Sequence, residues 1–240
     1  TWMASAPRLW EGLYNRILQN VSQAPPLRRV LFRVAYHCSR EYQTAWFFLT
    51  GRRLDLHGRS LLQSLRLAVL SIGQLFLYAL PHKILDALVL KKLRGVVGGE
   101  FRGTVSGGGA LPPHIDEFFN YIGIPVLEGY GMTETSPVLA VRTWRKLVIG
   151  TVGPFWPRTE IRIVDPADGK VLYPSGLGGR GGRGCKGEIQ AKGPQVMKGY
   201  YKNPGATAKV LQDGWMNTGD IGMVTFNDCL KILGRSKETI

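Results

Sequence analysis

Cysteine and histidine are scarce in this sequence. The three cysteines, Cys38, Cys185 and Cys229, are widely separated and no pair has CxxC spacing. That excludes a zinc ribbon and a disulfide framework, and it suits a reducing, cytoplasmic setting. The four histidines, His37, His57, His82 and His114, are scattered, so spacing supports no nucleophile–histidine constellation. Acidic residues are also short, with 17 Asp and Glu against 31 Lys and Arg, a net charge of +14. Such a surplus attracts phosphates, anionic membrane surfaces or nucleic acid. Basic and aromatic residues do not interleave as they do in single-strand binders, so no nucleic acid partner is expected. A Ser/Thr/Gly-rich phosphate loop ending in Lys is missing as well.

What is present begins with a helical pattern after Pro7, where Leu9, Leu13 and Ile17 recur at the 3.6-residue period with Trp10 and Tyr14, until Pro25-Pro26 breaks it. Residues 27–58 are basic and weakly periodic, a surface helical excursion. Leu61 to Leu80 is the most apolar stretch, yet it carries Gln63, Arg66, Ser71, Gly73 and Gln74, and Pro81 follows. The expectation is a helix ended by Pro81 and packed in the core, with monotopic membrane contact as the alternative. His82 to Arg94 reads as a second amphipathic helix, closed by Gly95.

Phe101 to Val105 reads as a strand, followed by Ser106-Gly107-Gly108-Gly109-Ala110. Pro112-Pro113 opens a helix whose inner side is Ile115, Phe118, Phe119 and Ile122; Gly123 closes it, and an apolar strand, Ile124 to Leu127, follows. A strand–loop–helix–strand unit implies parallel strands, with ligands at their carboxyl ends. After Pro137 the chain reads as strands and turns, with a break at Gly153-Pro154. Glu160 to Val164 alternates with period two, Asp165 to Lys170 is a turn, and Gly187 to Gly193 is another strand with its flanks. Gly176 to Gly187 is dense in Gly and Arg and reads as a flexible solvated loop. The fold class expected is α/β: a partial α/β subdomain over 1–150 with a helical excursion at 27–94, then a small β-barrel-like or sandwich subdomain over 151–233, then a hinge at 234–240.

The chemistry centres on Glu128-Gly129-Tyr130-Gly131-Met132-Thr133-Glu134-Thr135-Ser136-Pro137. Gly129 and Gly131 let backbone amides approach a ligand. Thr133 can donate to a phosphate oxygen, and Glu134 offers the hard oxygen that Mg²⁺ prefers. Further on, Trp215-Met216-Asn217-Thr218-Gly219-Asp220 presents a carboxylate after a Gly turn, the group that accepts both hydroxyls of a ribose. Taken alone, either stretch could equally be a solvated turn.

Tyr130-Gly131-Met132-Thr133-Glu134-Thr135 resembles the signature of the adenylate-forming (AMP-binding) superfamily, above all its long-chain fatty acyl-CoA synthetases and acyl-acyl-carrier-protein synthetases. Pro7-Arg8-Leu9-Trp10-Glu11, the Gly107-Gly108-Gly109-Ala110 loop, Gly193 to Tyr201 with Asn203-Pro204, and Gly234-Arg235-Ser236-Lys237 stand in the family's order. The resemblance implies that Gly107, Gly108, Gly109 and Ala110 form the wall of an adenine pocket beside the acyl channel. It puts Gly129, Tyr130 and Gly131 against the purine, Thr133 and Glu134 at the phosphates and Mg²⁺, Asp220 and Arg235 at the AMP ribose, and Lys237 at a hinge. It implies ATP, Mg²⁺ and coenzyme A, or a carrier-protein thiol, with a long-chain fatty acid as substrate. The family's phosphate loop and lysine-bearing C-terminal domain are not in these residues, so the piece reads as a fragment that is inactive alone. The alternatives are another carboxylic acid–CoA ligase and, in a different class, a non-catalytic basic module that binds membrane or nucleic acid.

Overall fold

A computed structural model describes residues 2–95, 103–175 and 181–236. The chain divides into two compact units: Thr1–Arg53 with Arg59–Leu127, and Leu54–Gly58 with Glu128–Ile240. Among the described residues the architecture is mixed α/β, with parallel pairing in the first unit and antiparallel sheet in the second.

In the first unit, strand β1 (Trp2–Ser5) leads into helix α1 (Pro7–Ser22), which starts on Pro7 as helix N-termini favour. Helix α2 (Pro26–Leu49) follows the proline break. Helix α3 (Leu61–Leu85) begins with a capping box: Ser60 Oγ accepts from the Gln63 amide at 3.3 Å, and Gln63 Oε1 accepts from the Ser60 amide at 3.1 Å. A π-helical turn (Asp86–Leu90) and α4 (Lys91–Gly95) continue it. Strand β2 (Gly103–Ser106) pairs parallel with β1, with Met3 opposite Thr104 and Ser5 opposite Ser106. Helix α5 (Pro113–Tyr121) then leads to β3 (Val126–Gly131).

The core of this unit is the inner side of α5, Ile115, Phe118 and Phe119 with Ile122, packed on Trp10 and Ile17 of α1 and Phe32 and Ala35 of α2. Trp10 meets Phe119 edge-to-face at 5.0 Å, a favoured aromatic geometry. Arg94 grips Asp86 through two contacts of 2.6 and 2.7 Å and also donates to the Ile122 carbonyl, tying the end of the long helix to the end of α5.

Two expectations for residues 61–94 fail. Pro81 does not end the helix; it lies inside α3. A proline forfeits one helical bond, and here flanking turns and packing against α2 carry the helix through. Nor is α3 a core helix. Only Ser71 is buried on it, while Leu62 and Phe76 are each 82 % exposed and Leu61, Leu65, Val69, Leu70, Leu77, Leu80 and Ile84 are also exposed. The reason is that α3 is apolar all round, and one neighbouring helix can cover only one stripe of it.

The second unit takes the end of β3, a 3₁₀ turn (Thr133–Thr135) and β4 (Val138–Val141), antiparallel to β3 with Tyr130 opposite Ala140. Strands β5 (Glu160–Val164), β6 (Val171–Tyr173), β7 (Gly187–Lys192), β8 (Leu211–Gln212), β9 (Trp215–Val224) and β10 (Leu230–Arg235) form an antiparallel sheet ordered β10-β9-β7-β5-β6, with β8 on β9. Among the described residues this path has two ends, so the barrel-like subdomain is an open sheet rather than a closed barrel. Helix α6 (Pro204–Val210) is capped by Asn203, whose Oδ1 accepts from the Ala206 amide. Ile161, Ile163, Ile189, Ala191, Val224 and Leu230 form the core with Leu139, Ala140 and Val152. The Gly/Arg loop is less free than expected. Residues 176–180 lie outside the described residues. Gly181 exchanges backbone hydrogen bonds with Ser175, the Gly184 amide donates to the Val224 carbonyl, and Arg183 pairs with Asp228.

Candidate active site

The strand β3 delivers Tyr130 at its end, and the chain then turns back sharply. Gly131 permits this: a Cβ there would lie 1.6 Å from the Pro137 carbonyl oxygen. Thr135, fully buried, fastens the turn through hydrogen bonds to the Met132 amide and carbonyl and the Pro137 carbonyl. Thr133 and Glu134 sit on the outside of that turn, Thr133 exposed and Glu134 half-buried.

Asp220 stands in the middle of β9, 6 % exposed. Its Oδ2 accepts from the Tyr130 hydroxyl at 2.6 Å, and its Oδ1 lies 3.3 Å from Arg235 Nε. Tyr130 and Arg235, more than a hundred residues apart in sequence, thus share one carboxylate. A register shift between Ile232 and Gly234 brings Arg235 opposite Asp220 on the neighbouring strand; bulges of this kind re-aim side chains beside functional sites. Burial, and then the Asp220 carboxylate, push the Tyr130 hydroxyl far above the usual tyrosine range. In this contact the Tyr130 hydroxyl is the donor. An ionised carboxylate has about four lone-pair sites. Tyr130 and Arg235 use two, which leaves acceptor capacity for a diol.

Glu134 has a partner that spacing did not point to: the Tyr200 hydroxyl donates to its Oε1 at 2.9 Å. Among the described residues no cluster of three or more His, Cys, Asp or Glu could cage a metal ion. A lone carboxylate suits Mg²⁺, which binds through one or two carboxylates and substrate phosphates rather than an all-protein cage. Glu134 is a carboxylate that could hold such an ion.

The structure thus brings Tyr130, Asp220 and Arg235 into contact and sets Gly129, Gly131, Thr133 and Glu134 on the same strand and turn. Gly107, Gly108, Gly109 and Ala110 belong to the first unit, directly after β2. There the Gly107 amide donates to the Ser5 carbonyl, and Gly108 adopts φ +78°. Lys237 lies outside the described residues. Besides Tyr200, the residue reading missed a buried pair: Arg142 reaches Glu128 Oε2 at 3.0 Å. Glu128 opens the decapeptide, but only coordinates reveal its partner.

A family model described as AMP-binding enzyme matches residues 1–201. "Probable acyl-activating enzyme 16, chloroplastic" of Arabidopsis thaliana is 38 % identical over all of this chain, which covers 34 % of that protein. A chloroplastic long-chain-fatty-acid–[acyl-carrier-protein] ligase of the same plant is 34 % identical, with 33 % of it covered. A long-chain-fatty-acid–CoA ligase of Mycobacterium tuberculosis is 32 % identical, again over the whole chain and 32 % of the relative. The chain therefore spans about a third of the length of the curated relatives it matches. Among solved structures, ATP-bound MatB from Rhodopseudomonas palustris superposes with a TM-score of 0.53 at 32 % identity, covering 65 % of this chain and 30 % of MatB. With a family model matched over most of its length, the chain belongs to the AMP-binding enzyme family.

Proposed function

We propose that this chain carries the nucleoside-holding face of a ligase that joins a long-chain fatty acid to the thiol of coenzyme A or of a carrier protein. The observation that carries the reading is the shared carboxylate of Asp220, held by Tyr130 and Arg235 beside the Thr133–Glu134 turn. A fatty carboxylate is a poor electrophile. Its oxygen attacks the α-phosphorus of ATP, a new P–O bond forms, and pyrophosphate leaves. A thiolate then attacks the carbonyl carbon of the acyl-adenylate, and AMP leaves with the electron pair of the broken C–O bond. Both steps need alignment and charge neutralisation more than covalent help from the protein.

In this reading Asp220 accepts from the ribose hydroxyls, Arg235 stands at the ribose and phosphate, and Thr133 donates to a phosphate oxygen. Gly129, Tyr130 and Gly131 bound the purine. Mg²⁺, when bound at Glu134, offsets phosphate charge. Lys237 is the proposed hinge, and the proposed layout keeps an α/β subdomain over 1–150 and a β subdomain over 151–233. Three free cysteines, two of them buried, suit the proposed cytoplasmic, reducing compartment. The test is ATP–pyrophosphate exchange by the full-length parent. Exchange stimulated by a long-chain fatty acid is expected, and exchange only with short or aryl acids would reject the substrate class.

The exposed face of α3 favours a second reading, peripheral contact with an anionic membrane. Residues 26–95 hold twelve Lys and Arg against three acidic residues, and α3 turns Leu62, Leu65, Val69, Phe76 and Leu80 outward. Leu61–Gly95 is also long and apolar enough to cross a membrane by length and composition alone. Each basic residue near an anionic surface contributes about 1 kcal/mol, and each buried Leu or Phe about 1.5–3 kcal/mol. Binding should therefore need both lipid charge and the apolar face. In co-sedimentation, the full-length parent is expected to bind vesicles containing phosphatidylglycerol several-fold better than pure phosphatidylcholine. Phe76→Ser with Leu80→Ser should abolish the difference. If neither vesicle binds, the rest of the protein covers α3 and the reading falls.

A further inference from the structure

The segment Gly193 to Tyr201 with Asn203-Pro204 stands in the family's order but received no role from sequence. Two bonds run from it to Glu134. The Met197 amide donates to the Glu134 carbonyl at 2.8 Å, and the Tyr200 hydroxyl donates to Glu134 Oε1 at 2.9 Å. Backbone and side chain of one carboxylate residue are thus held by a segment more than sixty residues away in the chain.

That segment is itself over-determined. The Tyr200 amide donates to Thr207 Oγ1 at 2.9 Å, Thr207 Oγ1 donates to the Asn203 carbonyl at 2.9 Å, and the Asn203 amide donates to the Tyr200 carbonyl at 3.2 Å. Gly199 takes φ +147°, and a Cβ there would meet Thr207 Cγ2 at 2.9 Å and Oγ1 at 3.0 Å. Asn203 caps α6, whose first turn carries the network. Lys198, Tyr200, Tyr201 and Lys202 are exposed, so little apolar burial is gained by this order. A tightly bonded but exposed loop contributes little to the core. Its evident product is a tyrosine hydroxyl fixed against a carboxylate.

We propose that Tyr200 is a positioning residue: it orients the Glu134 carboxylate so that Oε2 faces a nucleotide-bound divalent cation. This rests on the reading of Glu134 as the magnesium carboxylate. The hydroxyl occupies one oxygen and restricts rotation about the last side-chain bond, leaving the other oxygen presented. Outer-shell partners of metal ligands typically cost 10–100-fold in metal affinity or activity when removed.

The test uses the full-length parent and two readouts: Mg²⁺ titration of ATP–pyrophosphate exchange, and Mn²⁺–ATP binding by water-proton relaxation. Tyr200→Phe keeps the ring and loses the donor. It is expected to raise the half-saturating cation about tenfold while exchange at saturating cation changes less than twofold. Tyr201→Phe, next door and 88 % exposed, should move neither readout. An unchanged cation dependence in Tyr200→Phe, or an equal loss at every cation concentration, overturns the positioning role while leaving Glu134's role intact. If Glu134→Gln also leaves both readouts unmoved, the magnesium reading itself fails and the proposal goes with it.

Discussion

Replacing Asp220 by alanine in the full-length parent is expected to weaken AMP binding by about a hundredfold or more. Asp220 is nearly inaccessible, and its two oxygens already face one neutral and one cationic donor. A ribose diol would add two hydrogen bonds to a charged acceptor, each about 1.5–3 kcal/mol. Losing both gives about 3–6 kcal/mol, and each 1.4 kcal/mol is tenfold, so the effect far exceeds calorimetric error. Stability falls as well, because the half-buried Tyr130 loses the acceptor of its hydroxyl, a penalty of about 1–3 kcal/mol at most. Tyr130→Phe separates the two effects. It removes the donor but keeps ring and carboxylate, so AMP affinity should drop less than tenfold. Unchanged affinity in a folded Asp220→Ala protein removes Asp220 from the nucleotide and takes the ribose assignment with it. Thermal midpoints measured beside the calorimetry show whether the protein is folded.

Parts of the fold are readable from spacing because burial follows the backbone's period. Ile115, Phe118, Phe119 and Ile122 recur as one side of a helix, and all four are buried. Glu160 to Val164 alternates, and β5 occupies those five residues. The same rule misleads at α3, where apolar residues go all the way round and periodicity cannot tell core from surface. Proline chemistry misled at Pro81 for a related reason: a local penalty of a few kcal/mol competes with packing along a whole helix. The candidate site was legible as residue types at turns. What spacing could not supply were the hydrogen bonds between distant segments, Tyr130 to Asp220 and Tyr200 to Glu134. Nor does a one-residue bulge near Leu233 leave any mark in composition, yet it decides that Arg235 faces Asp220.

The largest loss of stability is expected from breaking the Arg142–Glu128 pair. Arg142 is 1 % exposed, and its fixed donors are used on several sides. Its Nε donates to the Thr151 carbonyl at 2.5 Å, its terminal nitrogen meets Glu128 Oε2 at 3.0 Å, and its amide donates to the Glu128 carbonyl at 3.0 Å. Gly153 makes room for this arrangement, since a Cβ there would lie 2.3 Å from the Arg142 amide nitrogen. Removing one member strands the other charge out of water, a cost of about 3–5 kcal/mol. Arg142→Met is therefore expected to lower the urea midpoint by about 1–5 M, for slopes of about 1–3 kcal/mol per molar. Removing both charges should be milder: Arg142→Met with Glu128→Leu is expected to recover most of the loss, because an apolar replacement pair no longer incurs the desolvation penalty. Strict additivity of the two single changes would mean the charges do not interact, and the pair would then be a crossing of side chains rather than a bond. The outcome bears on the site, because Glu128 is two residues before Tyr130 on β3. An apolar pair of similar volume would anchor the strand as the ion pair does and keep the Tyr130 ring placed for the proposed nucleotide, so the double variant should keep most of its AMP affinity while Arg142→Met alone loses it in step with its stability.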